Sequence, residues 1–212
     1  GIIVLKRNKD AKKSNNRIYA NVLSTAINQD GKSSSLTAPN GTAQESAIRK
    51  ALEKASLNAE DIVFHEAHGT GTSLGDPIEV LALQRVHSDR TDKLILSSVK
   101  TNIGHLEAAA GIAGVIKNAL QIYNRTLFPS LHFTDWNKLV KDKVNNLEVI
   151  TKATKWSAAK SLIGSISSFG FGGTNSHAIL AEEEAIVTSE NTNTTLFNNL
   201  FFDPDRYDLS EV

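Results

Sequence analysis

"KLILSSVKTNIGHLEAAAGIAG", residues 93–114, passes from an apolar run through a polar bend into a run of small apolar residues. Residues 93–99 have the length and composition of a strand. From His105 to about Tyr123 apolar and small residues fall on every face, a pattern that predicts a helix buried all round. A strand feeding a buried helix is the unit of a layered α/β domain. The same alternation recurs on both sides of it.

Upstream, "GIIVLKR" (1–7) reads as a short buried strand followed by a charged turn, and "RIYANVLSTAIN" (17–28) as a second strand. The polar stretch 29–41, punctuated by Gly and Pro, is a loop. Thr42 with Glu45 forms a capping-box pattern ahead of Ala43, Ala47, Ile48, Ala51, Leu52 and Ala55, which predicts an amphipathic helix over 43–56. "DIVFHEAH" (61–68) returns to strand. Asp76 then caps a helix with Pro77 in its first turn, striped by Ile78, Leu81, Ala82 and Val86. Two late strands, "SLIGSISSF" (161–169) and "SHAILAEE" (176–183), are joined by the glycine turn "GFGGTN". Residues 185–212 are rich in Asn and Thr and read as a tail or linker behind a domain spanning 1–184.

Composition narrows the chemistry. The chain has 212 residues, 40% of them apolar, enough for a sizeable core. Lys plus Arg and Asp plus Glu both number 23, so no charge footprint favours nucleic acid or anionic lipid. No apolar run reaches the roughly 18 residues of a membrane span, and the expectation is a cytoplasmic protein. Cysteine is absent, which removes disulfides, thiolate metal sites and any thiol nucleophile from this chain. Methionine is absent too and the first residue is Gly1, as expected of a piece of something longer.

Of the six histidines, His65 and His68 in "HEAH" are spaced by three on a strand end, where they face opposite ways; a zincin needs a spacing of four on a helix. No metal site is expected. His87 sits among charges and is expected to be solvated, while His132 and His177 are expected to be held by backbone hydrogen bonds. "GTGTSLG" (69–75) has Leu74 where a dinucleotide loop needs its third glycine, and no Lys-Ser/Thr pair for a P-loop. It does offer two hydroxyls, Thr70 and Thr72, spaced to lie on one side of an extended segment. Taken alone, an ordinary turn is the better reading of them. His105 at a helix N-terminus meets the positive end of the dipole, which disfavours imidazolium and leaves a neutral N–H donor for an oxyanion. Lys100, five residues earlier, can polarise or orient a nearby group, and Phe169 and Phe171 stand among glycines with exposed backbone N–H groups. A capping histidine and a surface lysine remain an equal reading of that pair.

"EAHGTGTSLGDPIE" (66–79), "SVKTNIGHLEAAAGIAGVIK" (98–117) and "SSFGFGGTNSHAIL" (167–180) together resemble the C-terminal half of a β-ketoacyl synthase, and "NQDGKSSSLTAPNG" (28–41) favours the modular type I, polyketide-like branch. The resemblance runs from Gly1 to about Ala181. It implies a thiolase-like layered α/β fold of which only the C-terminal half is present. It implies decarboxylative condensation of an acyl thioester with a malonyl-type extender carried on acyl carrier protein. In that scheme His68 and His105 stabilise the enolate oxygen, Lys100 organises the site, and Glu107 with Asn175 supports it from behind. Thr70 and Thr72 bind the phosphopantetheine arm, Phe169, Phe171 and Gly172 also contact substrate, and Phe171 is the gate, its N–H half of an oxyanion hole. No covalently bound cofactor is implied; the phosphopantetheine arm is the substrate carrier.

The family's cysteine belongs to an N-terminal lobe, which the resemblance makes a partner of this chain, together with the carrier protein and a second copy in a homodimer of the complete domain. "GTAQ" (41–44) and "FTDWNK" (133–138) depart from the branch's usual loops, and the tail departs from its usual linker. Two other readings stay open at this point: a non-catalytic remnant, and a module that only binds carrier protein or acyl chains.

Overall fold

A computed structural model describes residues 1–31, 38–157 and 161–183 and the backbone of 200–201. In chain order its elements are β1 (Val4–Leu5), α1 (Asn8–Lys13), β2 (Asn21–Gln29), α2 (Gly41–Ala55), β3 (Phe64–Glu66), α3 (Gly75–Val86), β4 (Leu94–Ser97) and α4 (Lys100–Ile103). There follow α5 (Ala110–Asn124), β5 (Thr126–Leu127), β6 (Leu147–Val149), β7 (Thr154–Lys155), β8 (Ile163–Phe169), β9 (Thr174–Ala181) and β10 (Leu200–Phe201).

Six strands form one mixed sheet in the order β2-β9-β8-β3-β4-β6. β8, β3, β4 and β6 run parallel, while β9 and β2 are added antiparallel at one side. Side chains alternate across it. Leu94, Leu96, Ile163 and Ile179 meet Ile48, Ala51 and Leu52 of α2 and Leu83 and Val86 of α3. On the opposite face Phe64, Ile166 and Leu180 meet Ala119 and Ile122 of α5. The two-residue period of the strands thus builds two apolar layers with the sheet between them. Among the described residues no helix is long and apolar enough to cross a membrane.

Several local expectations are corrected. The N-terminal run is not a buried strand: only Val4–Leu5 pairs, with Leu200–Phe201, and Ile2, Val4 and Leu5 are 74%, 55% and 52% exposed. The charged stretch after it is helix α1, with Asp10 in its first turn, Lys12 and Lys13 in its last, and Ala11 buried. Those charges suit the helix dipole, and a single apolar contact gave no periodicity to read. Helix α2 is capped by Asn40, whose side chain accepts from Thr42 N–H and Ala43 N–H at 3.0 and 3.3 Å; Glu45 instead pairs with Arg49 and Arg85. Asp76 is no cap either: its carboxylate accepts Gly71 N–H at 3.0 Å, and Thr72 Oγ1 accepts Gly75 N–H at the start of α3. The buried residues of α3 are Pro77, Glu79, Ala82, Leu83 and Val86, so Leu83 faces the core in place of Leu81.

The helix predicted from His105 to Tyr123 starts late, at Ala110. Gly104, at φ 76°, ends α4, and a loop and a 3₁₀ turn (Glu107–Ala109) precede α5. Nor is α5 apolar on its buried side. Lys117, Asn118 and Gln121 point inward, with Asn118 Nδ2 donating to Ser165 O at 2.8 Å and Gln121 Oε1 accepting Phe128 N–H at 2.7 Å. His87, expected in solvent, is 1% exposed and bonds Ala59 O at 3.1 Å beside Arg90. His177 bonds a side chain, Ser167 Oγ at 3.0 Å, and stacks on His65. His132 is exposed at φ 62°. The expected tail from residue 185 lies outside the described residues apart from the strand at 200–201, as does 32–37 within the expected loop.

Candidate active site

β3, β4 and β8 run parallel, so their carboxyl ends open on one edge of the sheet, the position where open α/β sheets hold ligands. Glu66 ends β3 and His68 follows in the loop; Ser97 ends β4 and Lys100 begins α4; Phe169 ends β8. A cleft of about 320 Å³ at this edge is lined by His68, Thr70, Thr72, His105, Phe169, Phe171 and Asn175, with Glu79 at its floor.

The backbone turns sharply at Gly69, φ 46°, where an added Cβ would stand 3.0 Å from Ser98 Cβ. Glu79, buried on α3, holds that turn: Oε1 accepts His68 N–H at 2.7 Å and Oε2 accepts Gly69 N–H at 2.9 Å. Burial alone would raise the Glu79 pKa, but the neighbouring His65, Gly69 N–H and His68 outweigh it and hold it lowered. Asp76 is pushed the other way, by burial and by Glu79.

The His68 ring meets His105 edge-on, centroids 5.5 Å apart at 88°, and lies 5.3 Å from the Phe169 ring. Burial lowers the His68 pKa to about 4; Glu79 opposes this, and Lys100 and His105 reinforce it. The ring is therefore neutral at pH 7. Its Nδ1 accepts Phe169 N–H at 3.4 Å, and His105 Nδ1 accepts Glu107 N–H at 3.1 Å. In both rings the proton is left on Nε2, and both Nε2–H groups are available as donors. This corrects the reading of His105: it lies in a loop ahead of α5, and a backbone N–H fixes its donor rather than the end of a helix.

Lys100 is partly buried, and burial lowers its pKa against the pull of Glu79, Glu66 and Asp76. Glu107 is exposed, and its backbone N–H is accepted by His105 Nδ1. Thr70 Oγ1 and Thr72 Oγ1 are 3.3 Å apart at the cleft wall. Asn175, 1% exposed, donates to Asn28 and to Asp30 at 3.1 and 2.7 Å, tying the turn after β8 to the end of β2. Phe171 stands 86% exposed at the tip of that turn, with Gly172 beside it in open space. Of the residues singled out from sequence, His68, Thr70, Thr72, His105, Phe169, Phe171 and Asn175 line one cleft, whereas Lys100, Glu107 and Gly172 do not.

Sequence reasoning missed Glu79, Glu66 and Lys117. A carboxylate within the apolar stripe of α3 and a lone lysine in the small-residue run of α5 were the available signals.

Residues 19–134 match the β-ketoacyl synthase C-terminal domain family, and residues 137–202 the ketoacyl-synthetase C-terminal extension. A phenolphthiocerol/phthiocerol polyketide synthase polypeptide of Mycobacterium tuberculosis is 44% identical over 184 residues, 85% of this chain and 8% of that protein. Erythronolide synthase EryA3 of Saccharopolyspora erythraea is 42% identical over 186 residues, 86% of this chain and 6% of that one. The chain therefore spans less than a tenth of the length of these relatives. Among solved structures, the ketosynthase from module 6 of the bacillaene synthase of Bacillus subtilis superposes with a TM-score of 0.79 at 42% identity, covering 84% of this chain and 34% of that one.

Proposed function

The chain belongs to the β-ketoacyl synthase family, whose thiolase-like α/β fold it carries, and from that premise we propose that it is the enolate-stabilising C-terminal lobe of a polyketide-type ketosynthase. The lobe runs through residue 184, with 185–212 as its tail. A second lobe supplies the cysteine that this sequence lacks. Acyl carrier protein delivers the extender, and the complete domain works as a dimer in the cytoplasm.

One observation carries the reading. Two imidazoles stand edge to face at the cleft, each with Nδ1 filled by a backbone N–H and Nε2–H free to donate. When a malonyl thioester loses CO2, the bond between its carboxylate and the α-carbon breaks and the electron pair moves onto the thioester oxygen. Two preset N–H donors at that oxygen stabilise the enolate without reorganising. The α-carbon then attacks the acyl group on the other lobe's cysteine, forming a carbon–carbon bond and expelling thiolate. Lys100, among Glu79, Glu66 and Asp76, keeps the donors from facing net negative charge alone. Thr70 and Thr72 hold the amides of the pantetheine arm, Phe169 contacts it, and Phe171 gates it.

The test is step-specific. In the complete domain, His105→Ala should slow CO2 release from malonyl carrier protein by about a hundredfold or more, the scale of losing one oxyanion donor. Acylation of the cysteine should persist. Normal CO2 release with failed acylation would reverse the assignment. The chain on its own should form no covalent adduct with a radiolabelled acyl thioester, since it offers no thiol.

A further inference from the structure

We propose that Glu66 and Lys117 form a buried strut that sets Lys100 and His105 against His68, an inference that rests on the functional reading above for its catalytic meaning. Glu66 ends β3, two residues before His68. Its Oε1 accepts the N–H of Val99, the residue before Lys100, at 2.5 Å. Its Oε2 accepts from Lys117 Nζ at 2.7 Å and from Ser97 Oγ at 3.1 Å, and Lys117 also donates to Ser97 Oγ at 2.8 Å. One carboxylate thereby joins the ends of β3 and β4, the head of α4 and the middle of α5.

The strut is closed to water: Glu66 is 1% and Lys117 9% exposed. Gly114, one turn before Lys117, makes room for it, because a Cβ there would stand 3.2 Å from Glu66 Cγ and 2.6 Å from Ile166 Cδ1. A buried ion pair adds little stability over apolar side chains of the same volume. What this pair supplies and an apolar one lacks is an acceptor for Val99 N–H, one of the orphan donors at the start of a helix. Lys100 and His105 ride on the segment that this bond anchors, and His68 follows the residue that anchors it. Neither Glu66 nor Lys117 lines the cleft, so both are positioning residues.

The test uses the 212-residue chain and NMR, with ring signals assigned by single histidine substitutions. In the wild type, Val99 N–H should exchange at least about 100-fold more slowly than an unstructured amide, and His68 should titrate at about 4, held down by burial, against the pull of Glu79, with Lys100 and His105 adding to it. Glu66→Met/Lys117→Met removes both charges and the acceptor while keeping volume. Its His68 titration should climb by about one unit or more as burial loosens and Lys100 and His105 draw back, and the contact between the two rings should fade. Glu66→Gln/Lys117→Met keeps an oxygen for Val99 and should titrate like the wild type.

A folded Glu66→Met/Lys117→Met chain with His68 titration and ring contact unchanged overturns the strut. Should that variant not fold, the wild-type Val99 amide decides: protection supports the strut and free exchange overturns it. None of these readouts needs turnover. A sound strut in a complete domain that fails to decarboxylate malonyl thioesters would count against the functional reading alone.

Discussion

Replacing Glu79 by Gln asks whether one buried carboxylate holds the loop that carries His68. The carboxylate accepts two backbone N–H groups, at 2.7 and 2.9 Å, within the protein. Hydrogen bonds to a charged group contribute about 1.5–3 kcal/mol each, so the pair contributes about 3–6 kcal/mol. Gln retains one carbonyl oxygen, good for a neutral bond of about 0.5–1.5 kcal/mol, and sets its NH2 against the other donor. The expected net loss is about 2–4 kcal/mol. With an m-value of about 2 kcal/mol/M in urea, the unfolding midpoint should fall by about 1–2 M.

The pH dependence supplies a second check. Burial works to raise the Glu79 pKa, yet His65, Gly69 N–H and His68 hold it below the ordinary 4.5. A group lowered in the folded state contributes stability above its unfolded pKa and loses it as pH falls through the folded one. The gap between wild type and Glu79→Gln should therefore be flat above about pH 5 and close in acid. Urea titrations followed by circular dichroism, at neutral and acid pH, measure both. A midpoint shift under about 0.5 M at pH 7, or a gap that widens on acidification, would refute the reasoning.

The other expectations concern the frame around the site. Gly164→Ala would drive a Cβ onto the Phe64 ring, 2.6 Å from Cε1, and to 2.7 Å from Asn118 Oδ1, so it should cost about 1–3 kcal/mol by overpacking; an unchanged thermal midpoint would mean that β8 shifts freely. Arg90→Met strips donors from Ala59 O, Ile62 O and Asp92 at a site 6% exposed and should cost about 2–4 kcal/mol in chemical unfolding. Burial lowers the pKa of His68 to about 4 and of His87 to about 3, so both bind protons in the unfolded chain before they do in the folded one. Stability should hold above pH 6.5 and decline as pH falls from there toward 4, and His87→Asn should flatten that slope by about one proton.

How much of this was legible in the sequence depends on the kind of signal. Strands β2, β3, β4, β8 and β9 were, as β-branched and aliphatic runs bounded by turn residues, whereas the run at 1–7 proved exposed and the three-residue β6 was too short to give a signal. The cleft residues were as well, since the histidines, the threonine pair and the glycine turn lie in contiguous motifs at the ends of those strands. The carboxylates and the lysine that hold them were not. Glu79 and Lys117 sit at core positions of α3 and α5, where a charge breaks the pattern without naming its partner, and the partners are 11 residues away for His68 N–H and 51 for Glu66. Helix α1 was hidden for the opposite reason: its single buried alanine leaves no periodicity, and its charges fit a turn as well as a dipole. The late start of α5, at Ala110 and not at His105, was hidden because the small apolar residues of the turn before it continue the same pattern.

The polarity of α5 bears on the proposed second lobe. Its best-buried positions toward the sheet include Lys117, Asn118 and Gln121, each hydrogen-bonded there, while Ile112, Ile116 and Leu120 are only partly covered and Tyr123 is 46% exposed. A helix that hides its polar groups and leaves apolar ones at the surface fits a layer with a second body beyond it. The cleft has the same character, with its lining residues Leu74 53% and Phe171 86% exposed, and Ile103 and Leu106, on either side of Gly104 and His105 in the chain, are 54% and 41% exposed. Enolate stabilisation by neutral donors gains strength as water is excluded, because each N–H then acts in a low dielectric. On the proposed reading the lobe that brings the cysteine also covers this cleft. One docking event would then complete the nucleophile, the gate and the dry surroundings that the two imidazoles require.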